Sequence, residues 1–314
     1  MLAVVACRPR VAAEATADAQ AMAEGEEAAG DAMAAGDVRA DRNAKPAGDA
    51  RPTGDAAPAR DAEVAPESGE GGAGDRGPGP APVATDWCID GMTALDEDVC
   101  YVLPPPGPGP RRLLVYLHGI VPPLRESVQK TTVQSAVLHA ATKAGAAAIV
   151  PRGRRGIGPA GAQDWWAWPT DPATHARLVK ELVARWAAAK RRLEGMVGAP
   201  FARTYLAGSS NGAYFLAALA LRGDDDDLGL PIDGYGAMSG GAPGGRGPGA
   251  LATRRARPVY IGYGAFDEES KKGAKALASV FTAAHWPAKL SEHPFGHGAR
   301  EVYLDEAFAW WDSH

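Results

Sequence analysis

The stretch TYLAGSSNGAYF, residues 204–215, sets two serines and an asparagine between two glycines, directly after an apolar run and directly before a helix-like one. Only Ser210 stands at the centre of a G-x-S-x-G pentapeptide, Gly208-Ser209-Ser210-Asn211-Gly212. A strand that ends in this pattern and hands over to a helix is the context of a nucleophile elbow. The glycines have a steric reason. A serine on so sharp a turn raises its hydroxyl above the sheet, and the residues two before and two after it are too crowded to keep a Cβ. The same turn puts the Asn211 N–H at a helix start, where it can meet a developing oxyanion. Ser209 fits the nucleophile position only if the two glycines lose their positional meaning.

Working outward, RRLLVYLHG at 111–119 is a basic pair followed by a continuous apolar run rich in β-formers and ending in His-Gly, so both faces of that strand must be buried, as in a parallel sheet covered by helices. An amphipathic helix over 127–145 follows, closed by Gly145, then a strand over 146–153 and a helix over 174–192. After the elbow, strands are expected at 234–241 and 258–267, a helix between 268 and 286, a short strand AKLSEHPF, and a terminal helix EVYLDEAFAWW. Strictly alternating strands and helices predict an α/β fold with a doubly wound, mostly parallel sheet.

A serine hydroxyl is a poor nucleophile near neutral pH and needs a base and a group that orients the base. Asp267 follows the apolar run VYIGYGAF, just past the carboxyl end of a strand, where open α/β sheets bind ligands. His297 lies in FGHG, a glycine-flanked loop after the last strand. Glu268 is the nearest rival to Asp267, whose acidic neighbourhood also reads as a helix start stabilised by the dipole. His293, in SEHPF, rivals His297 but falls within the expected strand. His118-Gly119-Ile120 closes the first long strand, where a backbone N–H can turn toward a substrate carbonyl; Ile120 is the expected second oxyanion donor and His118 a structural residue.

With LLVYLHG, GSSNG, GYGAFD and FGHG in this order, the chain resembles the α/β-hydrolase family over most of 111–314. The Ser-Asn-Gly-Ala of the elbow also resembles the polyhydroxybutyrate depolymerase and feruloyl esterase branch. The resemblance implies a serine hydrolase of the Ser210, His297, Asp267 type, acting on carboxylic esters through an acyl-enzyme. It implies no cofactor. A peptidase with the same triad and a binding module on a hydrolase scaffold are the alternatives. No HExxH or paired CxxC occurs, and Pro294 and Gly296 break the helix that would align His293 with His297 on a metal.

Residues 8–85 are nearly all Ala, Gly, Asp, Glu, Pro and Arg and predict a disordered linker, because ordering the backbone costs roughly 1–2 kcal/mol per residue that such a composition does not recover. The folded domain is expected at 86–314. A net charge of −5 with scattered Lys and Arg argues against a nucleic-acid partner. Val4-Val5-Ala6-Cys7 resembles a bacterial lipobox, with 1–7 as a truncated signal and Cys7 as the lipidated residue. Cys88 and Cys100 are then free to pair in an oxidising compartment, and the protein is expected outside the cytoplasm, attached to a membrane through Cys7. The competing reading is a short apolar start with free cysteines, since only six residues precede Cys7.

Three tryptophans in AQDWWAWP, Trp165, Trp166 and Trp168, are candidate walls of a substrate pocket, the alternative being loops packed onto the core. The run DDDD at 224–227 reads as a solvated turn, and the Gly-rich 239–257 segment as a flexible rim.

Overall fold

The computed structural model describes residues 85–104, 107 and 111–314, so Cys7 and all but the last residue of the expected linker lie outside the described residues. Strands β1 (Thr93–Asp96), β2 (Val99–Val102) and β3 (Arg112–Leu117) lead to helix α1 (Val128–Ala144) and strand β4 (Ala147–Pro151). Helix α2 (Pro172–Val197), strand β5 (Arg203–Ser209), helix α3 (Asn211–Arg222) and the single turn α4 (Asp224–Asp227) follow. Strands β6 (Gly234–Met238) and β7 (Val259–Gly264), helix α5 (Glu268–Ala283), strand β8 (Ala288–His293) and helix α6 (Glu301–Asp312) complete the chain.

The strands form one eight-stranded sheet in the order β1-β2-β4-β3-β5-β6-β7-β8. Pairs β1/β2 and β2/β4 are antiparallel, and every pair from β4/β3 to β7/β8 is parallel. This is the α/β-hydrolase arrangement, a mostly parallel sheet with the antiparallel exception at one edge.

Alternation along the strands sorts the side chains into two layers. Leu113, Val115 and Leu117 of β3 and Leu206 of β5 point into one core with Val183 and Trp186 of α2 and Phe215 of α3. Leu114 and Tyr116 of β3 and Tyr205 of β5 point into the other with Val137 of α1 and Trp311 of α6. The period of two explains why these runs look continuously apolar in sequence: both faces are covered. Burying each such Leu or Val contributes about 1.5–3 kcal/mol.

Local signals set the helix ends. Ser127 caps α1 and Gly145, at φ +63°, closes it in the left-handed conformation. Helix α2 is longer than expected at both ends. Asp171 accepts from the Ala173 and Thr174 N–H groups ahead of Pro172 at the first helical position, and Gly198 terminates the far end. Among the described residues no helix is long and apolar enough to cross a membrane.

Two expectations need correction. The segment between Cys88 and Cys100, whose polar sequence and spacing read as a small closed loop just before the first strands, carries β1 and the start of β2 instead. A disulfide joins the two cysteines, with 5.4 Å between their Cα atoms. The DDDD run is solvated only in part: Asp226 and Asp227 are exposed, but Asp225 is not. Asp225 is fully buried and accepts a 2.6 Å hydrogen bond from the Tyr235 hydroxyl, with Arg254 and Arg257 at 3.3 and 3.5 Å. Both arginines come from the Gly-rich connection, which is thereby pinned at its C-terminal end.

Candidate active site

The three chemically distinct residues singled out in the sequence meet at the carboxyl end of the sheet. Strand β5 delivers Ser210, the turn after β7 delivers Asp267, and the loop after β8 delivers His297. Ser210 Oγ lies 2.9 Å from His297 Nε2, and His297 Nδ1 lies 2.9 Å from Asp267 Oδ2. An ionised carboxylate can only accept, so Nδ1 carries the proton and donates it to Asp267, which leaves Nε2 as the acceptor of the Ser210 hydroxyl proton. The imidazole is about half exposed, whereas Asp267 is buried. The arrangement can deprotonate the serine oxygen and return the proton to a leaving group.

The elbow is strained as its sequence requires. Ser210 has φ +51° and ψ −125°, a conformation that costs a non-glycine residue on the order of 1–3 kcal/mol. Its N–H holds it there by donating to both the Met238 and Ser239 carbonyls, at 3.0 and 3.1 Å. A Cβ on Gly212 would stand 2.3 Å from the Leu117 carbonyl oxygen, and one on Gly208 would stand 2.9 Å from the same atom. The two glycines therefore let β5, the turn and the end of β3 close together.

The loop after β3 passes directly over the serine, since a Cβ on Gly119 would be 3.6 Å from Ser210 Oγ. The Ile120 N–H follows it, and the Asn211 N–H opens α3; neither meets a backbone acceptor among the described residues. The Asn211 side chain has a second task, as its Oδ1 accepts from the Trp168 N–H at 2.6 Å and its Nδ2 donates to the Trp168 carbonyl at 3.3 Å. This reciprocal pair fastens the tryptophan-rich loop to the helix start.

His118 is structural, as expected. It is fully buried, its Nε2 accepts from the Gly153 N–H at 2.9 Å, and its Nδ1–H donates to the Gly119 carbonyl. Burial pushes its pKa down to about 4, so it stays neutral and holds the Gly119 loop to the end of β4.

Rivals fall away for geometric reasons. Ser209 is buried as the last residue of β5. The Glu268 side chain is exposed and faces Lys271. His293 turns to Glu306 and Tyr260 instead of the serine. Trp168 is the correction among the expected substrate walls. It is fully buried, its indole N–H donates to the His118 carbonyl at 2.8 Å, and its ring packs on Trp186 and Phe215. Trp165 and Trp166 are half-buried.

Two residues at the site were not anticipated. Ser270 Oγ stands 3.3 Å from His297 Nδ1, while its backbone N–H donates to Asp267 Oδ1 at 3.2 Å. Ser239, buried at the end of β6 with φ +44°, donates from Oγ to the Gly298 carbonyl at 3.0 Å. No sequence signal marks Ser270, because the Asp267 cap takes a backbone N–H that any residue at that position offers.

Solved structures resembling this chain include esterase PE8, at 23% identity over 64% of this chain and 92% of that one, with a TM-score of 0.45. A Bacillus cereus carboxylesterase matches at 18% identity over 71% and 95%, TM-score 0.47. A carboxylesterase from Mesorhizobium loti matches at 20% identity over 65% and 89%, TM-score 0.46. No family model and no curated protein matches the chain. The fold assignment stands on the strand order and the site on its distances, not on these likenesses.

Proposed function

We propose that the protein is a serine hydrolase that cleaves carboxylic esters through an acyl-enzyme. The observation that carries the reading is the continuous series Ser210 Oγ to His297 Nε2 and His297 Nδ1 to Asp267 Oδ2, each step at 2.9 Å. In the first half-reaction Ser210 Oγ attacks the acyl carbon and its proton passes to Nε2. The tetrahedral oxygen is stabilised by the N–H groups of Ile120 and Asn211, and the leaving alkoxide takes the proton from Nε2 as the C–O bond breaks. Water then attacks the acyl-enzyme, gives its proton to Nε2, and the serine regains that proton as the acid departs. Asp267 keeps the imidazole in the productive tautomer throughout.

Trp165 and Trp166, half-buried in the loop that Asn211 fastens, are the remaining candidates for a wall along the acyl or alcohol group. The Cys88–Cys100 bridge supports an oxidising, extracytoplasmic setting. Attachment through a lipid on Cys7 belongs to the same proposal, and an unmodified Cys7 peptide from the native membrane fraction would contradict it.

Labelling the purified protein with a fluorophosphonate and mapping the modified peptide tests the central reading. Label on Ser210, absent from Ser210→Ala and with p-nitrophenyl acetate turnover down by about four orders of magnitude, is expected. Near-normal hydrolysis by Ser210→Ala would refute the assignment, and comparing p-nitrophenyl acetate with aminoacyl amides separates ester from peptide chemistry.

A further inference from the structure

Val121, next in the chain to Ile120, pairs with Trp166 in an isolated antiparallel bridge, and both residues also line a cavity of about 120 Å³. That is close to the ~150 Å³ that admits a benzene ring. Its walls combine two kinds of chemistry. Trp87, Val121, Leu124 and Trp166 supply apolar surface, and Lys130, Arg152 and Arg155 supply cations. The face of Trp166 carries the Arg152 guanidinium at 4.4 Å and that of Arg155 at 5.7 Å.

The charges do not cancel evenly. Asp86 is the one carboxylate on the wall, and it faces Arg152 at 3.3 Å. Arg152 is held further by Asp98, and Arg155 by Asp164. Lys130 differs. Only 6% exposed, it donates to the Asp86 carbonyl at 2.6 Å and to the Arg125 carbonyl, and among the described residues no carboxylate lies within 4.0 Å of its ammonium. Buried cations are ordinarily paired with an anion, and two carbonyls use only two of the three ammonium hydrogens. Lys130 also sits in the first turn of α1, which contains no acidic residue, so the helix dipole adds positive potential to a charge that Asp86 and Glu126 balance only from beyond contact distance.

We infer that this cavity is a binding site for a small carboxylate with an aromatic or apolar body, its carboxylate on Lys130 and its body against Trp87 and Trp166. The site is separate from the serine: none of Ser210, Asp267 and His297 lines it. Its ligand class nevertheless matches what ester cleavage would release. Burial already holds the Lys130 pKa below the usual ammonium range, and a bound anion would relieve that cost.

The inference is tested by binding alone, on the full-length Ser210→Ala protein, so that it stands or falls independently of the hydrolase reading. Titration with benzoate and with its neutral isostere benzamide, followed by calorimetry and tryptophan fluorescence, should show saturable benzoate binding and affinity for benzamide at least about tenfold lower. Lys130→Met should weaken benzoate about tenfold. Arg155→Gln, at a half-exposed position on the rim, should weaken it by a smaller factor and decides the matter if Lys130→Met does not fold. No saturable binding up to about 10 mM, equal affinity for the two probes, or unchanged benzoate affinity in the folded cation variants would overturn it.

Discussion

Ser239 touches both halves of the candidate active site at once: its carbonyl accepts from the Ser210 N–H at 3.1 Å and its hydroxyl donates to the Gly298 carbonyl at 3.0 Å. One strand end thus fixes the elbow and the loop next to His297, and the residue holds φ +44° to do so. Ser239→Ala is expected to lower kcat on p-nitrophenyl acetate about tenfold with KM within about twofold, because the hydroxyl positions reacting groups and touches no substrate. Ser239→Gly, which releases the backbone strain, should show the same kcat loss. Wild-type kcat in both variants would mean that the clamp is idle.

Asp267 holds His297 with one carboxylate oxygen and caps α5 with the other. Asn is an equally good cap but presents the wrong partner to Nδ1–H. Asp267→Asn should therefore melt within about 1 kcal/mol of the parent while kcat drops about 10⁴-fold. Asp267→Ala should lose the rate and, in addition, about 1 kcal/mol of stability. Urea denaturation beside steady-state rates separates the two roles.

His118 gives stability a pH dependence of defined sign. Its pKa is about 4 when folded, against 6.5 for the ordinary group, so the unfolded chain binds more protons between those values. The contribution is complete above about pH 6.5 and is lost as pH falls toward about 4, amounting to about 3 kcal/mol over that window. Urea midpoints of wild type should fall more steeply between about pH 7 and about pH 4 than those of His118→Gln. Parallel profiles would contradict the assignment.

The buried cluster around Asp225 should behave as a unit. Asp225→Asn leaves Arg254 and Arg257 with Asp226 alone and is expected to cost about 3 kcal/mol in chemical denaturation. Combined with Arg257→Met it should cost less than the sum of the two single changes by at least about 1 kcal/mol, since removing both partners leaves no lone charge. Strict additivity would show that the contacts are not coupled.

The parallel core was legible because its strands are buried on both faces and its helices carry caps in sequence. Ser210, Asp267 and His297 were legible because each sits at a junction between elements, where glycines mark the turn. The hairpin of β1 and β2 was not, because four-residue strands in a polar stretch leave no periodic trace. Trp168 was misread for a related reason: an aromatic residue in a loop looks available until the Asn211 side chain, 43 positions away, draws its backbone into the core. Asp225 depended on Arg254, 29 positions away, and on Arg257 beyond it, and Ser239 in an SGG context reads as an ordinary turn. What local pattern encodes was visible, and what distant partners decide was not.

The Cys88–Cys100 bridge has a mechanical consequence. Tension on the chain preceding Thr85 is met first at buried Trp87, whose indole N–H donates to the Val150 carbonyl of β4 at 3.0 Å, and then at Cys88, where the covalent link hands the load to β2, which is zipped to β4 on its inner side. Edge strand β1 lies inside the bridged loop and is bypassed. Under oxidising conditions a pull from that end is therefore met by the sheet's interior pairing, while under reducing conditions the same force peels the hairpin from the margin first.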